Sequence, residues 1–119
     1  MDSSGWIEYL ADRPLAGRFA PYIEGHEPLL VSAIEVYEVY KVLRRDFSED
    51  RAIEASSALR RATIAPVDEA LALLAADVSL THGLAMADSL VYATARRHGA
   101  TLVTADRDFE GLPDAIVVR

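Results

Sequence analysis

The 119-residue chain contains no cysteine. That excludes disulfides and thiolate metal sites, and it suits a reducing, cytoplasmic setting. No apolar run approaches the roughly 18–20 residues of a membrane span, and no basic leader with an apolar core opens the chain. Positive charge is scarce. Twelve Lys and Arg stand against 19 Asp and Glu, for a formal net charge of −7. A nonspecific nucleic-acid binder is normally basic, so that class is disfavoured; an enzyme that meets phosphates through a bound cation is not. Phosphate-binding glycine loops, a nucleophile elbow and an HExxH zinc motif are all missing. His26, His82 and His98 lie far apart in unrelated contexts and complete no zinc set. With no repeat, low-complexity tract or Gly/Ser linker, residues 1–119 read as one domain. A hydrophobic content of 51% is too high for a disordered chain.

Within that domain, short apolar runs alternate with helical patterns. Ser3 or Ser4 can cap a short helix through Leu10. Pro14 suits the first turn of a second, carrying Leu15, Phe19 and Tyr22 to near Gly25. Leu29-Leu30-Val31 has the signature of a buried strand. Ser32-Ala33-Ile34-Glu35 reads as a capping box opening a helix to about Arg45, and Ser48 starts another, over roughly Glu49 to Ala62. Thr63–Val67 is a weak strand whose Pro66 confines it to an edge. Asp68 caps a helix that stops before Gly83, and a further helix spans Leu84 to His98, closed by Gly99. Thr101–Thr104 is a strong strand, followed by an acidic turn and a last strand at Ala115–Val118. Continuously apolar strands between helices predict an α/β fold with a parallel sheet covered on both faces. Ligands in such sheets bind beyond the carboxyl ends of the strands, which places Ser32–Glu38 and Thr104–Asp108 at the crevice.

Acidic residues dominate that end. Asp88 interrupts an apolar stripe of Leu84, Ala87, Val91 and Ala95, where a lone carboxylate is costly unless paired, hydrogen-bonded or metal-bound. It could equally cap its own helix or pair with a buried arginine. Asp106 and Asp108 follow the strongest strand, where turn aspartates commonly bond nearby backbone amides. Asp2, taken alone, is a helix-start residue. Glu38 lies opposite the apolar face of Val36, Val39, Tyr40 and Leu43, where an exposed ion pair with Lys41 is the ordinary explanation.

Taken together, four segments resemble a PIN domain. They are Asp2-Ser3-Ser4, the Ser32–Leu43 segment with Glu38, Ala87-Asp88-Ser89-Leu90-Val91-Tyr92-Ala93-Thr94-Ala95, and Leu102-Val103-Thr104-Ala105-Asp106-Arg107-Asp108-Phe109. More narrowly, the chain is similar to VapC-type toxin ribonucleases of toxin–antitoxin pairs, in order and over nearly its whole length. The resemblance implies a three-layer α/β/α fold with a central parallel sheet and a catalytic set of Asp2, Glu38, Asp88 and Asp106. Asp2, Asp88 and Asp106 would be direct ligands of Mg2+ or Mn2+, with Asp108 a fifth, outer carboxylate. Thr104 would hold water or a phosphate oxygen, and Arg44, Arg45, Arg96, Arg97 and Arg107 are candidates for the RNA backbone. Hard divalent cations do favour such oxygen ligands.

The resemblance further implies an RNA substrate, a cognate antitoxin whose tail enters the acidic groove, and a homodimer. An inactive PIN-like module that only binds a protein is the alternative. An aspartate-phosphorylated receiver domain fits less well, because it needs an Asp-Asp pair at the first strand and a strand-end lysine. In one respect the chain departs from the pattern: the family carries an apolar first strand before the first aspartate, whereas this sequence opens Met1-Asp2. The expectation is a sheet lacking its first, central strand, or a natural start further upstream.

Overall fold

The computed structural model describes all 119 residues. Its elements run α1 (Ser3–Leu10), α2 (Ala16–Glu24), β1 (Leu30–Ser32), α3 (Ala33–Asp46), α4 (Glu49–Leu59), β2 (Thr63–Ala65), α5 (Glu69–His82), α6 (Met86–Arg97), β3 (Leu102–Thr104) and β4 (Ala115–Val117), with a 3-10 turn at Arg107–Phe109. The fold is mixed α/β, and every strand pairing is parallel.

The caps follow from local chemistry. Ser32 and Glu35 form the expected reciprocal capping box at the start of α3. Ser48 and Asp68 accept the Arg51 and Leu71 amides to open α4 and α5. Gly83 closes α5 with φ +70°, a conformation that costs a residue with a Cβ far more. Two details differ from expectation. The cap of α1 is Asp2, whose side chain accepts the Gly5 amide, because Ser3 and Ser4 are already helical. The second helix begins only at Ala16, after the turn containing Pro14, and carries Pro21 inside it.

Both faces of the strands are covered. Val103 packs into a cluster with Trp6, Phe19, Val31, Val39 and Leu43, while its neighbour Leu102 joins Val91, Tyr92 and Phe109 on the other side. Consecutive strand residues point to opposite faces, so this split is what a two-sided core requires. Each fully buried Phe or Leu contributes roughly 1.5–3 kcal/mol relative to exposure. The Tyr92 hydroxyl donates to the Pro113 carbonyl at 2.6 Å and ties α6 to the turn before β4.

The sheet is divided. β1 pairs only with β2, and β3 only with β4. Between the two pairs, where the first strand is expected, stand Met1 and Asp2 alone, and the Asp2 amide donates to the Val103 carbonyl at 3.1 Å. No strand joins β1 to β3. Even so, Asp2 is 4% exposed and lies beside the carboxyl end of β3.

Candidate metal centre

Asp2, held in extended backbone at the mouth of α1, is built into a net of hydroxyls. Its Oδ1 accepts the Ser4 hydroxyl at 2.6 Å and the Gly5 amide at 3.4 Å. Its Oδ2 accepts the Thr104 hydroxyl at 2.6 Å. Those hydroxyls are anchored in turn: Ser4 Oγ accepts the Ala105 amide at 3.0 Å, and Thr104 Oγ1 accepts the Asp106 amide at 2.9 Å. Burial raises the Asp2 pKa above its ordinary value, and the hydrogen bonds from Ser4 and Thr104 oppose that rise.

Asp88 sits in the first turn of α6. Neither structural alternative accounts for it, because it makes no ion pair with any arginine and the α6 cap has no side-chain hydrogen bond. Its pKa is pushed up to about 6, first by desolvation and then by the charges of Asp106, Asp2, Glu38 and Asp108. Asp106, at the mouth of the 3-10 turn, does bond local backbone: Oδ1 accepts the Asp108 amide at 2.9 Å. Glu38, expected in a surface pair with Lys41, is instead half-buried, and its Oε1 accepts the Ser3 hydroxyl at 3.0 Å. Lys41 lies over the Tyr37 ring, 5.5 Å from its centre. Desolvation, with the charge of Asp2, raises the Glu38 pKa against the hydrogen bond from Ser3 and the charge of Lys41.

The charges of Asp2, Glu38, Asp106 and Asp108 are all near enough to raise the Asp88 pKa. The tightest group is Asp88, Asp106 and Asp108, one carboxylate oxygen of each lying within 4.8 Å of the others. None of the five takes part in an ion pair with lysine or arginine. Crowded carboxylates with no organic cation among them fit a hard divalent ion, which needs oxygen donors and charge neutralisation.

The sequence matches the PIN domain family model over residues 1–115. The chain belongs to the PIN domain family. Three solved structures share the fold. A toxin–antitoxin complex from Klebsiella pneumoniae has 24% identity and a TM-score of 0.79, covering 98% of this chain and 93% of that one. VapC20 of Mycobacterium tuberculosis, described as a sarcin–ricin loop cleaving toxin, has 19% identity and a TM-score of 0.79, covering 94% and 92%. VapBC2 of Rickettsia felis, bound to a DNA fragment from its promoter, has 16% identity and a TM-score of 0.72, covering 98% and 93%. No curated protein matches the sequence.

The tightest group of this PIN domain holds Asp88 and Asp106 of the expected ligands but has Asp108 in place of Asp2, and the way Asp2 and Glu38 are held is not legible in the sequence. The hydroxyls of Ser3, Ser4 and Thr104 that orient Asp2 and Glu38 follow from no periodicity; the local signal is the run of small polar residues after Asp2. By its spacing from Ser32, Glu35 is a capping acid. Its Oε2 does accept the Ser32 amide at 2.7 Å, but the residue is 2% exposed and burial pushes its pKa up to about 8. Of the five arginines considered for RNA, Arg44, Arg45, Arg96 and Arg97 are committed to Glu49, Asp46, Asp114 and Asp68. Arg107, between Asp106 and Asp108, makes no ion pair.

Proposed function

We propose that this PIN domain is a Mg2+- or Mn2+-dependent endoribonuclease that hydrolyses RNA phosphodiester bonds as the toxin of a toxin–antitoxin pair. The observation that carries the reading is five carboxylates gathered beyond the strand ends with no lysine or arginine paired to any of them. Asp88, Asp106 and Asp108 would hold the cation, with Asp2 beside them at the carboxyl end of β3. A bound divalent ion supplies positive charge against the phosphate and makes nearby water more acidic.

The remaining steps fall to the chain itself. Ser4 and Thr104 fix both oxygens of Asp2, so that carboxylate needs no reorganisation when substrate arrives. Glu38 keeps Oε2 free while Ser3 holds Oε1, and its raised pKa suits it to take a proton from the attacking water. Arg107, exposed and without a carboxylate partner, is free for a charge-assisted contact with a phosphate oxygen.

Two protein partners belong to this reading. The acidic groove and net charge of −7 suit a basic antitoxin tail. A second copy of the chain would cover the apolar side chains of Leu73, Leu80 and Met86, which are 64%, 86% and 75% exposed on and just after α5. The test is incubation of antitoxin-free protein with tRNA, ribosomal RNA and messenger RNA in Mg2+ or Mn2+. Cleavage that stops on EDTA and in Asp106→Asn is the expected result. Inactivity of folded protein on every RNA class would point instead to a module that only binds a partner.

A further inference from the structure

Beside Glu38, α3 carries two side chains that the chemistry above leaves unused. Lys41 is the only lysine in the chain. It follows Glu38 by three residues and Tyr37 by four, the two spacings that set helix side chains next to one another, with Cβ atoms roughly 5–6 Å apart. Its Nζ lies 5.5 Å from the centre of the Tyr37 ring. Its charge also reaches Glu38, where it opposes the rise in pKa. Yet Lys41 pairs with no carboxylate. Tyr37 is 59% exposed, whereas Val39 and Leu43 of the same helix are buried, so its ring adds little to the core. At 3.6 residues per turn, Glu38, Lys41 and Tyr37 step outward in that order from buried Glu35. An acid of the cluster, a free ammonium and an open aromatic face thus form one row.

That row has the chemistry of a nucleotide. The acidic cluster and a net charge of −7 repel a phosphate chain, so a strand brought to the site needs a grip on its neighbouring groups. An ammonium with three donors meets a phosphate as a point charge. An open aromatic face takes any base, because every base has a π-face. A basic peptide suits the row poorly, since Lys41 would repel it. On the reading that this site cleaves RNA, we propose that Tyr37 and Lys41 clamp the nucleotide next to the scissile phosphate. Its base stacks on the Tyr37 ring, while the Lys41 ammonium leaves that ring for the nucleotide's outer phosphate. Both are positioning residues, since they grip the substrate away from the bond that breaks. The clamp also selects unpaired RNA, because a base within a duplex is already stacked on its neighbours.

The test uses an octamer of 5-iodouridine, which bonds photochemically to an aromatic ring stacked on it. Protein and octamer are irradiated in Mn2+, and the bonded residue is identified by mass spectrometry. Tyr37 should carry the cross-link, Tyr37→Phe should keep it and Tyr37→Leu should lose it; unpaired RNA should compete and duplex RNA should not. In cleavage assays, Tyr37→Leu should raise KM for unpaired RNA roughly 5–100-fold, the loss of one stacked base, with kcat within about twofold. Lys41→Met should raise KM roughly 3–10-fold at low salt and much less at high salt, and Lys41→Arg should restore it. An abasic site beside the cleaved bond should cost the wild type as much as Tyr37→Leu does, and cost that variant nothing more. A cross-link at another residue, or none, would overturn the proposal. So would a Tyr37→Leu variant that loses the cross-link because a dimer dissociates in sedimentation, which would assign the ring to an interface between copies. A protein that cuts no RNA but cross-links at Tyr37 would refute the nuclease reading and keep the clamp. One that cuts unpaired RNA with unchanged KM in Tyr37→Leu would refute the clamp and keep the nuclease.

Discussion

Replacing Asp88 by asparagine removes one negative charge from a cluster with no lysine or arginine paired to it, while keeping the side chain's shape. In the folded protein the Asp88 carboxyl ionises near pH 6, against an ordinary 3.8, mainly because it is desolvated and then because four other carboxylates surround it. Below pH 3.8 the group is protonated in both folded and unfolded chains and costs nothing. As pH rises through 3.8, the unfolded chain ionises first, and the folded state loses ground until about pH 6, beyond which the penalty is constant. The difference between 3.8 and about 6, at roughly 1.4 kcal/mol per tenfold change, is about 3 kcal/mol; solvent reaching the half-buried group screens this to about 1–2 kcal/mol. Without divalent cation, Asp88→Asn should therefore stabilise the fold at pH 7.5 by that amount, a rise of about 4–10 °C in melting temperature. At pH 4 the gain should vanish. Adding Mn2+ at pH 7.5 should reverse the order, because an ion held by the wild-type carboxylates would stabilise the fold by mass action. The assay is a set of thermal melts at pH 4 and pH 7.5, with EDTA or Mn2+. A variant destabilised equally at both pH values would refute the reasoning, since Asp88 would then be a structural group whose loss does not depend on charge.

Two other side chains separate site from scaffold. Glu38→Gln should leave the melting temperature within about 1 kcal/mol of wild type in stability, because Gln can still accept the Ser3 hydroxyl, yet slow RNA cleavage by roughly two orders of magnitude or more. Unchanged cleavage rates would remove Glu38 from the chemistry. Thr104→Val keeps the shape of a fully buried residue but takes the donor from Asp2 Oδ2 and the acceptor from the Asp106 amide. It should cost about 1–3 kcal/mol in chemical denaturation and weaken Mn2+ binding by roughly 10–100-fold in titration calorimetry. Full-strength Mn2+ binding in Thr104→Val would show that Asp2 needs no such support.

The sequence by itself determined whatever depends on near neighbours along the chain. Ser32 and Glu35 lie three apart and capped α3 as read; Asp68, Gly83 and Gly99 marked helix ends through conformations that a few residues decide. Apolar Leu102-Val103 between helical patterns was enough for a buried parallel strand. The acids were legible too: Asp88 because its apolar stripe made it anomalous, and Asp2, Glu38 and Asp106 through the PIN resemblance. Pattern alone favoured a surface ion pair for Glu38, because a helical wheel shows which face a residue occupies but not what approaches that face.

Only the tertiary structure brought Ser3 of α1 against Glu38, a contact across 35 residues, and Thr104 of β3 against Asp2, across 102. Those contacts leave Glu38 half-buried rather than solvated, and they bury Asp2 in a net of hydroxyls. Likewise, the division of the strands into β1–β2 and β3–β4 depends on how α1, α3 and α6 pack against them. Packing of side chains from distant segments decides that, and no local run of residues encodes it.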